Sequence, residues 1–169
     1  MRSIIVLLSV SITWNALSQP TFSFFNEMKS PELAKLFADS SVTHDLKRLK
    51  AAIRMGMLDL TPERAAVIRH LNRSGIPVVA WLLLPEERGY WFHIGNGTDA
   101  IARYIEVRDW ASANGLEFLH IGLDMELDIN DINIVKSSPL KAAFHFAGRL
   151  YNDGPLGRAR RQYDSLLTL

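Results

Sequence analysis

The feature that most constrains this chain is a repeat of chemistry: a short apolar run followed by a helix-start signal, several times in succession. Thr21 to Asn26 is short, aromatic and strand-like. Ser30-Pro31-Glu32 then supplies a hydroxyl N-cap, a proline at the first helical position and an acid at the positive end of the helix dipole. The helical stretch breaks around Ser40-Ser41 and resumes at Asp45 to Leu49. Ala52 to Leu60 is the second strand candidate, and Thr61-Pro62-Glu63 repeats the helix start. Ala65, Ile68 and Leu71 fall at helical spacing, ending at Gly75 as a C-terminal cap. Ile76 to Leu84 is a continuous apolar run, as expected of a strand buried on both faces. A longer loop, Pro85 to Gly97, leads to a helix opened by Thr98-Asp99, with Ile101, Tyr104, Ile105 and Trp110 along it to Gly115. The fourth strand runs from Phe118 to about Glu126. Ser138-Pro139 starts a helix through Tyr151, Asp153-Gly154-Pro155 breaks it, and Leu156 to Leu169 reads as a final helix.

Strand-helix units of about 30 residues imply parallel strands joined by crossover helices. A complete (β/α)8 barrel takes about 250 residues. With 169 residues, the chain is expected to be α/β, the N-terminal half of a TIM-like (β/α)8 barrel, about four βα units. A truncated barrel is the reading adopted. A half-barrel that pairs with a partner and a small open α/β sheet are the alternatives. A half-barrel would expose apolar strand edges, so self-association through those edges is expected.

Hydrophobic residues make up 48% of the chain and charged residues 22%, an ordinary globular balance. The net charge of +1 offers no basic field for nucleic acid. The absence of cysteine excludes disulfides, thiolate metal sites and cysteine nucleophiles. Met1-Arg2, the mostly apolar Ser3 to Trp14, and Ala16-Leu17-Ser18 before Gln19 follow the pattern of a secretory signal peptide. Residues 1–18 are therefore expected to be a signal peptide, and 19–169 the partial barrel domain of a secreted or periplasmic protein. A buried N-terminal helix or strand is the competing reading of that run. No membrane association is expected after processing.

The chemistry concentrates at Gly122-Leu123-Asp124-Met125-Glu126, with Asp128 just beyond. Acids two residues apart on a strand share a face. At the end of a parallel strand that face opens where barrel and open-sheet enzymes hold their active sites. Such a pair suits the acid and the base or nucleophile of glycoside hydrolysis. It also suits oxygen ligation of a hard cation, or ordinary pairing with an arginine. Asp128 and Asp131 fit a helix-capping role better.

Gly122-Leu123-Asp124-Met125-Glu126-Leu127-Asp128 resembles the fourth-strand signature of family 18 chitinase-like barrels, G-L-D-x-D-x-E. Glu126 stands where that family has Asp, and Asp128 where it has the catalytic Glu. Asp124-x-Glu126 is also similar to the D-x-E pair of family 25 lysozyme-like barrels. The second resemblance implies Glu126 as proton donor and Asp124 as the group that stabilises the transition state or intermediate.

The loop after the third strand gathers Glu86, Glu87, Tyr90, Trp91, His93 and Asn96. Aromatic faces stack on sugar rings and amides bond hydroxyls, so Tyr90, Trp91 and Asn96, with Asp128, are candidate saccharide contacts. Equally, Tyr90 and Trp91 could simply cover the sheet end. Asn26 with Glu27, and Asp59, fall at the ends of strands one and two, where capping or loop hydrogen bonding suits them. His44, His70, His93, His120 and His145 have no metal-ligand spacing, and His120 reads as a core histidine. Arg158, Arg160 and Arg161 read as a solvated helix face. Asn72-Arg73-Ser74 and Asn96-Gly97-Thr98 are glycosylation sequons.

The expectation is thus a glycoside hydrolase-like protein with Asp124 and Glu126 catalytic, a saccharide as its partner, and no cofactor or metal. A metal-dependent barrel hydrolase such as a phosphodiesterase, with Asp124 and Glu126 as ligands, and a non-catalytic carbohydrate-binding protein are the alternatives.

Overall fold

The computed structural model describes residues 22–126, 129–150 and 153–168. The expected signal segment 1–18 and the candidate contact Asp128 lie outside them. The described residues form a mixed α/β structure with a four-stranded parallel sheet and seven helices. The strands are β1 (Phe22–Asn26), β2 (Ala51–Met57), β3 (Val78–Leu82) and β4 (His120–Leu123), side by side in chain order. Helices α1 (Ser30–Ala38) and α2 (Ser40–Arg48) join β1 to β2, α3 (Pro62–Arg73) joins β2 to β3, and α4 (Gly97–Asn114) joins β3 to β4. Helices α5 (Ile129–Ser137), α6 (Pro139–Leu150) and α7 (Asp153–Leu166) follow. Among the described residues no helix is long and apolar enough to cross a membrane.

Register divides the sheet into two unlike faces. Ile53, Met55 and Met57 of β2 align with Val78, Ala80 and Leu82 of β3. All six join Leu33 and Phe37 of α1, Leu46 of α2, Ile68 and Leu71 of α3, and Val107 of α4 in one core. Right-handed crossovers between strands that never reverse order return the connecting helices α1 to α4 to the same side, so one core forms on one face. The other face carries Ser23 and Phe25 beside Ala52, Arg54 and Gly56, then Val79 and Trp81, then His120 and Gly122. There the Phe25 and Trp81 rings meet edge to face at 5.0 Å. Arg54 lies 5.3 Å above the Phe25 ring and its Nε donates to Ser23 Oγ at 3.0 Å.

Local chemistry accounts for most boundaries. Thr61 caps α3, its hydroxyl accepting from the Arg64 amide at 3.3 Å, with proline in the first turn. Gly115 ends α4 in the left-handed conformation, φ 60°, which glycine adopts without a Cβ penalty. Three expectations need correction. Ser30 is not the N-cap of α1; Lys29 is, and the Ser30 hydroxyl donates instead to Asp59. The helix that starts at Pro139 does end before Asp153-Gly154-Pro155, at Leu150, but the final helix begins at Asp153 and not at Leu156, because a proline in the first turn displaces no intrahelical bond. His120 is not in the core: β4 is an edge strand, and the side chain is exposed.

The C-terminal helices fold back on the sheet's helical layer. Gln162 Nε2 donates to Thr98 Oγ1 at 2.7 Å, and the Tyr163 hydroxyl donates to the His93 carbonyl at 3.1 Å. Leu166 completes the core. His145 and Asp131 clasp α6 to α5 at 2.9 Å.

Candidate functional site

The C-terminal ends of the four strands form one rim, and the loop from Pro85 to Asn96 runs across it. The loop opens with a 3-10 turn, Glu86–Arg88. It is then bent by Gly89 (φ 95°) and Tyr90 (φ 64°), both left-handed. A left-handed aromatic residue is uncommon and is held only where its surroundings over-determine it. Here they do. The Tyr90 carbonyl accepts from the Leu84 amide at 2.9 Å, and the Tyr90 hydroxyl donates to Glu27 Oε2 at 2.7 Å. Burial first, and then the hydrogen bond and charge of Glu27, push the Tyr90 phenol up to about 12.

Trp91 meets the Tyr90 ring edge to face at 4.8 Å and remains 40% exposed. Phe92, fully buried, forms an isolated parallel bridge with Met125, and its carbonyl accepts from the Glu126 amide at 2.8 Å. The loop therefore serves as a short extra pairing partner for the segment beyond β4. Asp124 is half-buried there and Glu126 exposed. The structure thus joins Phe92, the chain neighbour of Trp91, to the acid segment through the main chain.

Asn96 has a different part from the one its residue type suggested. It is 8% exposed, its Nδ2 donates to the Trp91 carbonyl at 3.0 Å, and its Oδ1 accepts from the His93 amide at 2.7 Å. Its amide closes the loop and is not presented to a ligand. The other sequon asparagine is engaged as well: Asn72 Nδ2 donates to the Glu117 carbonyl at 2.9 Å and Oδ1 accepts from the Glu117 amide at 3.0 Å.

A pocket of about 190 Å³ opens on the same rim, lined by Lys29, Leu58, Leu84, Pro85, Glu86, Glu87 and Tyr90. It sits over the ends of β2 and β3, and neither Asp124 nor Glu126 lines it. Among the described residues no group of three or more His, Asp or Glu is placed to hold a metal ion.

Beneath the rim lies a charged layer that reading the sequence missed. Arg64 donates to the Gly56 and Met28 carbonyls at 2.8 and 2.9 Å and pairs with Asp59. Arg103, also buried, donates to the Leu83 carbonyl at 3.0 Å and to the Met57 carbonyl. Gly56 and Met57 end β2 and Leu83 follows β3, so both arginines supply donors to carbonyls at the strand ends. The signal was available: Arg64 lies on the stripe of Ile68 and Leu71, and Arg103 on that of Ala100, Val107 and Ala111. An arginine inside a buried stripe marks a core acceptor.

Burial alone would raise the Asp59 pKa, but bonds from Arg64 and Ser30 and the Arg64 charge outweigh it. They hold the carboxyl well below the usual range. Asp59 is therefore a structural acid. Glu27 is the rim acid that binds a loop side chain. No protein family, curated protein or solved structure matches the chain.

Proposed function

We propose that this chain is the N-terminal half of a TIM-like (β/α)8 barrel whose C-terminal rim acts on a saccharide, with Glu126 as general acid/base and Asp124 as the partner that stabilises developing charge. One observation carries the reading: the Phe92–Met125 bridge, with the Glu126 amide bonded to the Phe92 carbonyl, fastens the loop that bears the exposed Trp91 to the segment that bears both acids. Alternation along an extended chain gives Asp124 and Glu126 a common side, as acid/base work at one bond requires. The barrel half is supported by four parallel strands in chain order with a core on one face. A doubly wound sheet reverses its strand order and is covered on both faces. Tyr90 and Trp91 are the saccharide contacts, and Asn96 supports the loop that carries them. A secreted or periplasmic location accords with an extracellular glycan substrate.

The test is turnover of a soluble N-acetylglucosamine oligomer by the wild type and by Glu126→Gln, each with and without EDTA. The expected result is hydrolysis indifferent to EDTA and lowered at least about a hundredfold in the variant, with binding retained. Loss of activity in EDTA would instead favour the metal reading.

A second reading, saccharide binding without turnover, is favoured by the rim pocket, which reaches Tyr90 but is not lined by the acids. Binding by both proteins with turnover by neither would select it.

A further inference from the structure

We propose that Glu27 is a positioning residue: through the Tyr90 hydroxyl it ties the Pro85–Asn96 loop to the end of β1 and so fixes the exposed Trp91 as a saccharide platform. This inference rests on the saccharide reading above and deepens it.

Glu27 directly follows the last residue of β1, and Tyr90 lies in the loop that leaves β3. Their 2.7 Å hydrogen bond joins residues 63 positions apart, across the end of the intervening β2. At its far side the same loop is stitched to the acid segment by Phe92. The loop is thus fastened at both ends of the rim, to β1 by a side chain and beyond β4 by main chain. Trp91 stands between the two fastenings, in edge-to-face contact with the tethered Tyr90 ring.

The Glu27 tether is needed because the turn is locally unfavourable. Tyr90 at φ 64° follows Gly89 at φ 95°. A non-glycine residue relaxes from that region unless something holds it. Cutting the tether lets Tyr90 leave the left-handed region, and Trp91, its chain neighbour, turns with it. A charge-assisted bond suits this task, since an ionised acceptor binds a hydroxyl more strongly than a neutral one does. Such an anchor lowers the ordering cost that a mobile platform would impose on each binding event.

The test uses the full chain with Glu27→Ala, Tyr90→Phe and Glu27→Gln, the last retaining an acceptor oxygen. Two readouts are taken: amide exchange of residues 89–92 with no ligand present, and affinity for an N-acetylglucosamine oligomer read by tryptophan fluorescence. Glu27→Ala and Tyr90→Phe should each raise exchange and weaken affinity by about tenfold. Glu27→Gln, whose neutral amide oxygen still accepts, should fall between the wild type and Glu27→Ala in both, and melting temperatures should change little. Unchanged exchange in both disruptive variants overturns the tether. Raised exchange with unchanged affinity overturns the positioning role. If the wild type binds no oligomer, the saccharide reading fails and the positioning role fails with it, while exchange still decides whether the tether exists.

Discussion

The fully buried guanidinium of Arg64, in the first turn of α3, stands 2.9 Å from the Asp59 carboxylate beyond β2 and holds the ends of β1 and β2 together. One cation thereby serves the Gly56 carbonyl, the Met28 carbonyl and an acid that also accepts from Ser30. Removing it strands two backbone carbonyls and takes from Asp59 its countercharge, leaving that acid only its hydroxyl and amide donors. Arg64→Ala should cost about 3–5 kcal/mol, because an uncompensated buried group remains. Denaturant unfolding measures this, and a change below 1 kcal/mol, ordinary for a surface residue, would contradict it.

The same pair sets a pH dependence. The folded Asp59 carboxyl titrates below its ordinary 3.8, so the unfolded chain takes up the proton first as pH falls. The stability from this group is complete above that ordinary value and is lost as pH drops towards the lower, folded one. Asp59→Asn should flatten the acid limb of the stability curve and lower stability at neutral pH. Melting temperatures from pH 7 down to about 2 check both.

Asn96→Asp places a carboxylate oxygen where the amide nitrogen now donates to the Trp91 carbonyl. A donor becomes an acceptor facing an acceptor in a buried position, at a cost of about 1–3 kcal/mol. Exchange protection of Trp91 to Asn96 should fall more than that of the sheet. Equal loss in both would show that the asparagine is not specific to the loop.

A Cβ at Gly97 would lie 2.7 Å from Gln162 Oε1 and 2.9 Å from Gln162 Cβ. Gly97→Ala must therefore push α7 away from the start of α4, at about 1–3 kcal/mol for overpacking. The measurement is amide exchange in α7 compared with α3, which should be unaffected.

Both outer strands carry exposed apolar side chains on the helical side of the sheet, Phe24 at 46% on β1 and Ile121 at 42% on β4. Unpaired edges of this kind recruit further strands. The protein should self-associate as its concentration rises, and Ile121→Lys should shift the distribution towards monomer in sedimentation velocity. Equal distributions for the two proteins would show that the β4 edge takes no part.

The sequence was most legible where one residue type has one local consequence. Thr61-Pro62-Glu63 starts α3, Gly115 ends α4, and the run from Ile76 to Leu84 contains a fully buried strand. It was least legible where a polar side chain could choose among distant partners. Ser30 suits a cap but bonds Asp59, Asn96 suits a ligand but closes its own loop, and His120 suits a core but lies on an edge strand. Helix α5 was missed between Ile129 and Ser137, where two asparagines, an aspartate and four β-branched residues weaken the helical signal.

By itself, then, the sequence determined the alternation of strand and helix and the position of Asp124 and Glu126 after the fourth apolar run, because caps, prolines and apolar runs act over a few residues. Only the tertiary structure decided that the strands lie in chain order with a core on one face. It also decided that Arg64 and Arg103 answer the carbonyls at the strand ends, and that Glu27 and Phe92 fasten the aromatic loop across the rim. Those contacts join residues tens of positions apart. Their partners are chosen by which backbone acceptors the sheet leaves unpaired, a property no local pattern carries.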